Sequence, residues 1–284
     1  LAGRGREALR ISAVGSAGAT ALALPLAAPV SALAVAWYPS VRAALPLVLS
    51  AVVAALLLTE RSTRAAVAGA ACLLVSGALG VVALPLAPTP VHDAVPGSVL
   101  APLFAGLFGA PVLLDDLDGD GIPGQSGTVP RLGRAALART TVAGTVAGAL
   151  VGYLPGVSAG VASALSLPAV GSGDDEDDAA RRYVVATSGA DTANALFALF
   201  ALSALGTPRT GVTVALVEAA VPVRLATLVP TAVAAAAAGA ALVVVAGDRY
   251  LRTVGRLDQR VLVGGVCAFL VVSAVVFAGG AGLA

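Results

Sequence analysis

Long apolar blocks separated by short charged stretches constrain this chain more than any other feature of its sequence. Hydrophobic residues make up 58% of its 284 residues and charged residues 12%, which is about half the charged share of an ordinary soluble domain. An apolar block of about 20 residues can cross a bilayer as an α-helix. Runs such as AVVAALLL lack the alternation that a membrane β-barrel requires. The sequence therefore predicts an all-α, polytopic membrane protein.

The distribution of arginine predicts how the chain is oriented in the membrane. All 17 basic residues are Arg, and the loop 88–96 contains none. By the positive-inside rule, the Arg-rich loops lie on the cytoplasmic side and the loop 88–96 lies outside. The two longest apolar blocks are 136–170 and 183–222. For the Arg-rich loops to stay on the cytoplasmic side, these two blocks together must cross the membrane an odd number of times. The sequence thus predicts discontinuous helices, with a re-entrant hairpin in 136–170.

The first predicted break lies in GYLPGVSAG, residues 152–160. Pro155 and Gly156 end one helix there, and Ser158 and Gly160 begin another. Non-helical backbone at membrane depth is tolerated only where it is buried in protein or lines a cavity, and the start of a helix attracts an anion. The break predicts one side of a substrate site, and a simple proline kink is the alternative.

The same residues spell G-x-S-x-G around Ser158, the pattern of a serine hydrolase. A nucleophilic serine needs a base, usually histidine, and the one histidine of the sequence, His92, lies in the loop predicted to be outside. The motif also requires a preceding strand, which the apolar sequence TTVAGTVAGALVGYL does not favour. An intramembrane serine hydrolase is therefore the weaker alternative, and we predict no enzyme.

A second break is predicted in LGTPRTG, residues 205–211. Pro208 interrupts the helix, while Thr207 and Thr210 supply hydroxyl groups. Arg209 lies between two apolar runs, where an ionisable side chain indicates function, and its guanidinium can pair with a carboxylate through two hydrogen bonds. We predict that these residues form the other side of the substrate site; an Arg that reaches the lipid headgroups is the alternative.

Asp191 and Asn194 lie between the two breaks, three residues apart on one helical face. A carboxylate and an amide inside a membrane can bind Na⁺ or, in the case of the carboxylate, carry a proton. We predict that both residues serve a coupling ion, Na⁺ or H⁺. A helix cap near the membrane surface is the alternative. No other cofactor and no metal centre is predicted.

The order of these motifs resembles the large membrane subunit of the tripartite tricarboxylate transporters, the TctA family. That family reads roughly G-V-L-P-G-x-G-P, then E-A-A-N-N, then L-G-I-P-G-S. The opening GRGREALRISA is also similar to the family's G-R-x-G-E-A-L. The matching residues here are Gly152, Leu154, Pro155, Gly156 and Gly160, then Asp191, Ala193 and Asn194, and then Leu205, Gly206, Pro208 and Thr210.

The resemblance implies two related halves, each with a break at the substrate site. It also implies that the first-half break precedes Leu1, so that the first half is incomplete. On this basis residues 1–114 are the remainder of the first transmembrane half. Residues 115–135 form a cytoplasmic linker, and residues 136–284 form the second transmembrane half.

The family also implies partners: a small membrane subunit and an extracytoplasmic binding protein. The sequence departs from the family pattern, since Asp191 stands for Glu, a single Asn replaces two, and Arg209 replaces Gly. These departures indicate a divergent branch of archaeal type, and leave open whether the binding protein is used and which anion is carried.

Together these features predict a multi-pass permease of the cell membrane that contacts lipid and no nucleic acid. It would move a small organic anion, a carboxylate, by ion-coupled alternating access around a site at the membrane midplane. A membrane scaffold that transports nothing is a further alternative, in which the breaks are packed kinks without a polar cavity.

Overall fold

The structure is a computed structural model that describes residues 4–60, 62–86, 88, 91, 97–115, 132–171, 176–254 and 258–279. Across these ranges the regular elements are helices, without a β-strand, so the predicted all-α class is confirmed. His92 and residues 116–131 of the predicted linker lie outside the described part of the chain.

Eleven α-helices and one π-helical turn follow one another in the described residues. Six of them, α1, α3, α6, α8, α10 and α11, are long and apolar enough to cross a membrane by length and composition, which confirms a multi-pass membrane protein. The elements are α1 (Gly5–Ala43), α2 (Leu45–Leu58), α3 (Thr63–Ala83), α4 (Leu100–Phe104), the π-turn (Ala105–Gly109), α5 (Ala110–Asp115), α6 (Arg134–Gly152), α7 (Ala159–Val170), α8 (Glu176–Leu205), α9 (Gly211–Glu218), α10 (Leu225–Val254) and α11 (Gln259–Ala278).

The helices form two compact units. One consists of Leu1–Thr59 with Gln125–Leu251, and the other of Glu60–Gly124 with Arg252–Ala284. Each unit joins segments from distant parts of the chain. This grouping reports which segments pack together, whereas the predicted halves are two segments of the chain that are related to each other. The predicted division at 115–135 therefore stays a prediction.

The core of the first unit consists of α1, α6 and α8, which approach closely through small residues. In lipid, tight packing of small side chains drives helix association. On α1 the buried positions recur about every fourth residue, which forms one stripe along the helix. The small residues of this stripe are Gly15, Ala19, Ala23 and Ala27, with Ile11 before them and Ser31 after them.

Three glycines of α6 bring this helix against α8. A Cβ atom on Gly144 would lie 2.3 Å from the Ala186 carbonyl oxygen, and one on Gly148 would lie 2.3 Å from that of Ala190. The face formed by Gly144, Gly148 and Gly152 is therefore a packing face, as their spacing predicts.

Helices α6 and α7 form the hairpin predicted for 136–170. The Arg139 guanidinium donates a hydrogen bond to the Val170 carbonyl oxygen, so the end of α7 lies beside the beginning of α6. With 12 residues, α7 is about 18 Å long. It is too short to cross a hydrocarbon layer of about 30 Å.

The second unit packs α11 against α4, the π-turn and α5. A Cβ on Gly109 would lie 2.7 Å from the Leu270 side chain. Backbone amides of Val91 and Ser98 donate to the carbonyl oxygens of Val276 and Phe277, at 3.2 and 2.9 Å. These bonds secure the end of α11.

Candidate transport site

The first break separates α6 from α7 and is anchored by Tyr153. The Tyr153 hydroxyl and the Ser31 hydroxyl of α1 are 3.2 Å apart, and the Tyr153 ring lies 6.1 Å from the ring of Phe197 in α8. Gly156 has a φ of +79°, which glycine adopts readily and other residues do not. Pro155 is half-buried, and Ser158 and Gly160 are exposed. The break is therefore held by α1 and α8 while its tip stays open.

The second break separates α8 from α9 and follows the same design. Gly206 has a φ of +68°, and its amide donates to the Leu202 carbonyl oxygen at 3.0 Å. Helix α9 then begins with a capping box, in which the Thr210 hydroxyl accepts from the Thr213 amide and the Thr213 hydroxyl accepts from the Thr210 amide. The Thr210 hydroxyl therefore caps α9. The polar groups of this break that lack a hydrogen-bond partner belong to the neighbouring residues.

Arg209 and Thr207 supply these free groups. The Arg209 guanidinium carbon lies 4.7 Å from the centroid of the Tyr38 ring. The Arg209 Nε and Nη2 atoms and the Thr207 hydroxyl oxygen are buried and have no hydrogen-bond partner within the described part of the chain. Buried polar groups without partners are rare in proteins, and this break contains three of them.

Both breaks contact the same face of α1. Ser31 and Tyr38 are seven residues apart, which is two helical turns and about 10 Å along the axis. Sequence reasoning did not include α1 in the site. The available signal was the pair Trp37-Tyr38 at the end of the first apolar block, which by itself is equally typical of a membrane-interface aromatic belt.

Asp191 opens into a cavity of about 530 Å³ between α7 and α8. Its carboxylate makes no ion pair or hydrogen bond with any residue that the structure describes. Ser163, Tyr183 and Thr187, which carry hydroxyl groups, line the same cavity. Its lining residues are Gly160, Ser163, Ala164, Leu167, Tyr183, Thr187 and Asp191.

Asn194 lies in a different environment from Asp191. It is only 9% exposed, and its backbone packs against Gly148 and Gly152 of α6. It is absent from the lining of the Asp191 cavity. The two residues are three positions apart, but only Asp191 is available to an ion in that cavity.

The structure brings Asp191 together with Gly160 and keeps it away from the second break. Leu205, the last residue of α8, follows Asp191 by 14 positions, or about 21 Å of helix. Arg209 lies beyond that point. The predicted residues therefore form a carboxylate-bearing cavity and a separate guanidinium-bearing break, and their joint action stays a prediction.

Comparison with models of known protein families gives one finding that covers nearly the whole chain. Residues 1–283 match the tripartite tricarboxylate transporter TctA family. The chain belongs to this family. Neither a curated protein nor a solved structure matches it. The resemblance predicted from the broken helices is confirmed, and the TctA chain is a component of a transporter of this type.

The TctA chain also has a buried charge cluster where α1 and α8 begin. Glu7, within the stretch GRGREALRISA, is fully buried, and its Oε1 accepts from Arg181 Nε at 2.7 Å. Arg4 Nη1 lies 2.6 Å from Asp177 Oδ2 and 4.0 Å from Glu7 Oε2. Two arginines and two carboxylates thus balance each other at this end of the helix pair.

Proposed function

We propose that this TctA chain is the permease subunit that moves a small organic carboxylate across the cell membrane by ion-coupled alternating access. One observation carries the proposal: in a membrane transporter subunit, the break between α8 and α9 holds a buried guanidinium edge and a buried hydroxyl without partners in the described residues. An anion with several oxygen atoms is the ligand that meets these requirements.

The chemistry of Arg209 favours a carboxylate. The N–H bonds of Nε and Nη2 run parallel along one edge of the guanidinium, and this pair matches the two oxygens of a carboxylate. Thr207 can donate a further hydrogen bond from its hydroxyl. Pro208 shapes the break, and the beginning of α9 adds the positive end of a helix dipole. Thr210 contributes by holding that helix end in place.

The break between α6 and α7 is the opposite wall of this proposed site. Pro155 and Gly156 form its turn, and Ser158 and Gly160 begin α7. The contacts of Tyr153 and Arg209 with the same face of α1 support a common site. Two walls on separate helix pairs could move relative to each other, as alternating access requires.

Asp191 is the proposed ion-coupling residue, with Na⁺ or H⁺ as the ion. A carboxylate in a helix of membrane-spanning length is costly without a counter-charge, and the described residues supply none to it. The surrounding hydroxyl groups are ligands that a monovalent cation accepts. Asn194 is the second candidate, although its burial against α6 makes it less accessible.

The partners follow from the family. A tripartite transporter has a large membrane subunit together with two other components. We propose that a small membrane subunit and an extracytoplasmic binding protein work with this chain. Co-purification of the full-length protein from its native membrane tests this assignment.

The central test is uptake of radiolabelled citrate and succinate by membrane vesicles that contain the full-length protein. Replacement Arg209→Lys removes the two-donor edge but keeps the charge, so we expect KM to rise about tenfold or more. The matched control is Arg224→Lys, because Arg224 is exposed and outside both breaks. Equal KM values for Arg209→Lys and the native protein would contradict the proposal.

A further inference from the structure

We propose that Tyr38 of α1 is a positioning residue for substrate recognition, which holds the Arg209 guanidinium so that Nε and Nη2 face one carboxylate of the anion. This inference rests on the proposed function. It adds α1 to the site and specifies a planar carboxylate as the group that is recognised.

The contact between Tyr38 and Arg209 has the geometry of a cation–π interaction. The guanidinium carbon is 4.7 Å from the ring centroid, within the distance of about 6 Å at which this attraction is significant. A guanidinium above a ring is attracted through its flat face, which leaves its N–H edges free. The free edge here is the one that carries Nε and Nη2, both buried and without a hydrogen-bond partner among the described residues.

The backbone of Arg209 is fixed from the other side. Its amide donates to the Thr213 hydroxyl at 2.8 Å, and the same hydroxyl belongs to the capping box that begins α9. A long Arg side chain would still sample many rotamers and lose that freedom on binding. The Tyr38 ring removes this remaining freedom before the substrate arrives.

The Tyr38 ring, rather than its hydroxyl, carries the effect. In the described part of the protein the Tyr38 hydroxyl has no hydrogen bond. Phenylalanine should therefore substitute for Tyr38, whereas a branched aliphatic residue of similar bulk should not. Trp37 provides a matched control, because it is 67% exposed and belongs to the same turn of α1.

The experiment measures citrate uptake by vesicles that contain the full-length protein, with KM and Vmax determined separately. For Tyr38→Leu we expect KM to rise about 3- to 30-fold, the range that a cation–π contact supports, while Vmax stays within a factor of about two. For Tyr38→Phe and Trp37→Leu we expect KM close to the native value.

A series of phenylalanines with one, two and three ring fluorines at position 38 provides the second test. Fluorine withdraws charge from the ring face with little change of shape, so KM should rise stepwise along the series. This series decides the question if Tyr38→Leu fails to fold. A flat series, or a fall of Vmax in place of a rise of KM, would overturn the inference.

The two proposals can fail separately. If Arg209→Lys raises KM but Tyr38→Leu does not, Tyr38 has no positioning role and the substrate site remains. If Arg209→Lys leaves KM unchanged, the proposed function fails first.

Discussion

Asp191 lies 15 positions after Glu176, the first residue of α8; it is an exposed residue that lines the α7–α8 cavity. Thr187 lines the same cavity, and its hydroxyl donates to the Tyr183 carbonyl oxygen at 2.9 Å. Its oxygen lone pairs are therefore available to a cation. A lone carboxylate beside such oxygens has the chemistry of a site that alternates between empty and cation-bound.

Replacement Asp191→Asn should uncouple transport from the ion. We expect loss of citrate accumulation against a gradient, because the amide carries no charge to be compensated, while exchange of internal for external citrate persists. The measurement is accumulation and counterflow in vesicles at several Na⁺ concentrations and pH values. Glu218→Gln is the control, since Glu218 is an exposed carboxylate at the end of α9. Unchanged ion dependence in Asp191→Asn would refute the assignment.

At the residue scale, the sequence identifies the charged residues of the candidate site better than the residues that contact them. Arg209 and Asp191 are conspicuous because an ionisable side chain within an apolar block is rare. Tyr38 is not, since the same residue also suits a membrane interface or a core. Its role depends on a residue 171 positions away, and no local pattern contains that contact.

At the scale of helices, the positions of the breaks were predictable and the continuity of α1 was not. Pro155-Gly156 and Gly206 with Pro208 mark both breaks, as predicted. Proline accompanies both breaks but does not interrupt α1, which runs to Ala43 through Pro25, Pro29 and Pro39, since neighbouring helices compensate for proline inside a membrane bundle.

The contact between α6 and α8 makes a test at this scale possible. Gly148→Ala would place a Cβ 2.3 Å from the Ala190 carbonyl oxygen and 2.7 Å from the Ala193 Cβ. Overpacking of this kind costs about 1–3 kcal/mol, so we expect a lower midpoint of thermal unfolding in detergent. Gly239→Ala in α10 is the matched control, because a Cβ there meets no described atom within 4 Å. Equal midpoints for the two variants would contradict the packing.

At the scale of the whole molecule, the charge cluster at the start of α1 connects distant parts of the chain. Glu7 and Arg181 are separated by 174 positions, and their pairing brings the beginnings of α1 and α8 together. Individual apolar blocks predict the helices, but nothing in the sequence around Glu7 or around Arg181 predicts that these two side chains pair with each other. The packed small residues of both helices, together with the Ser188–Ser12 hydrogen bond between them, set the register that brings the two side chains into contact.

Replacing one member of the Glu7–Arg181 pair should destabilise the fold more than replacing both members. Arg181→Gln removes the 2.7 Å ion pair from the fully buried Glu7 carboxylate, so we expect a loss of about 3 kcal/mol in the free energy of unfolding. The double variant Glu7→Gln with Arg181→Gln should regain part of that loss, because no charge is then left alone. Denaturant unfolding in detergent measures both. Strictly additive losses would rule out a coupled pair.

The length of α1 limits where the two ends of this helix can lie. From Glu7 to Tyr38 there are 31 positions, or about 46 Å, and a steep tilt of about 40° still leaves roughly 36 Å across the membrane. A hydrocarbon layer of about 30 Å cannot contain both the charge cluster and the Tyr38–Arg209 pair. If the charge cluster lies at one surface, this length places Arg209 near the opposite surface; the position of the breaks in the membrane, including the predicted midplane, stays a prediction. A hydrated anion would then exchange water for the guanidinium gradually, and it would be recognised before it leaves the aqueous phase.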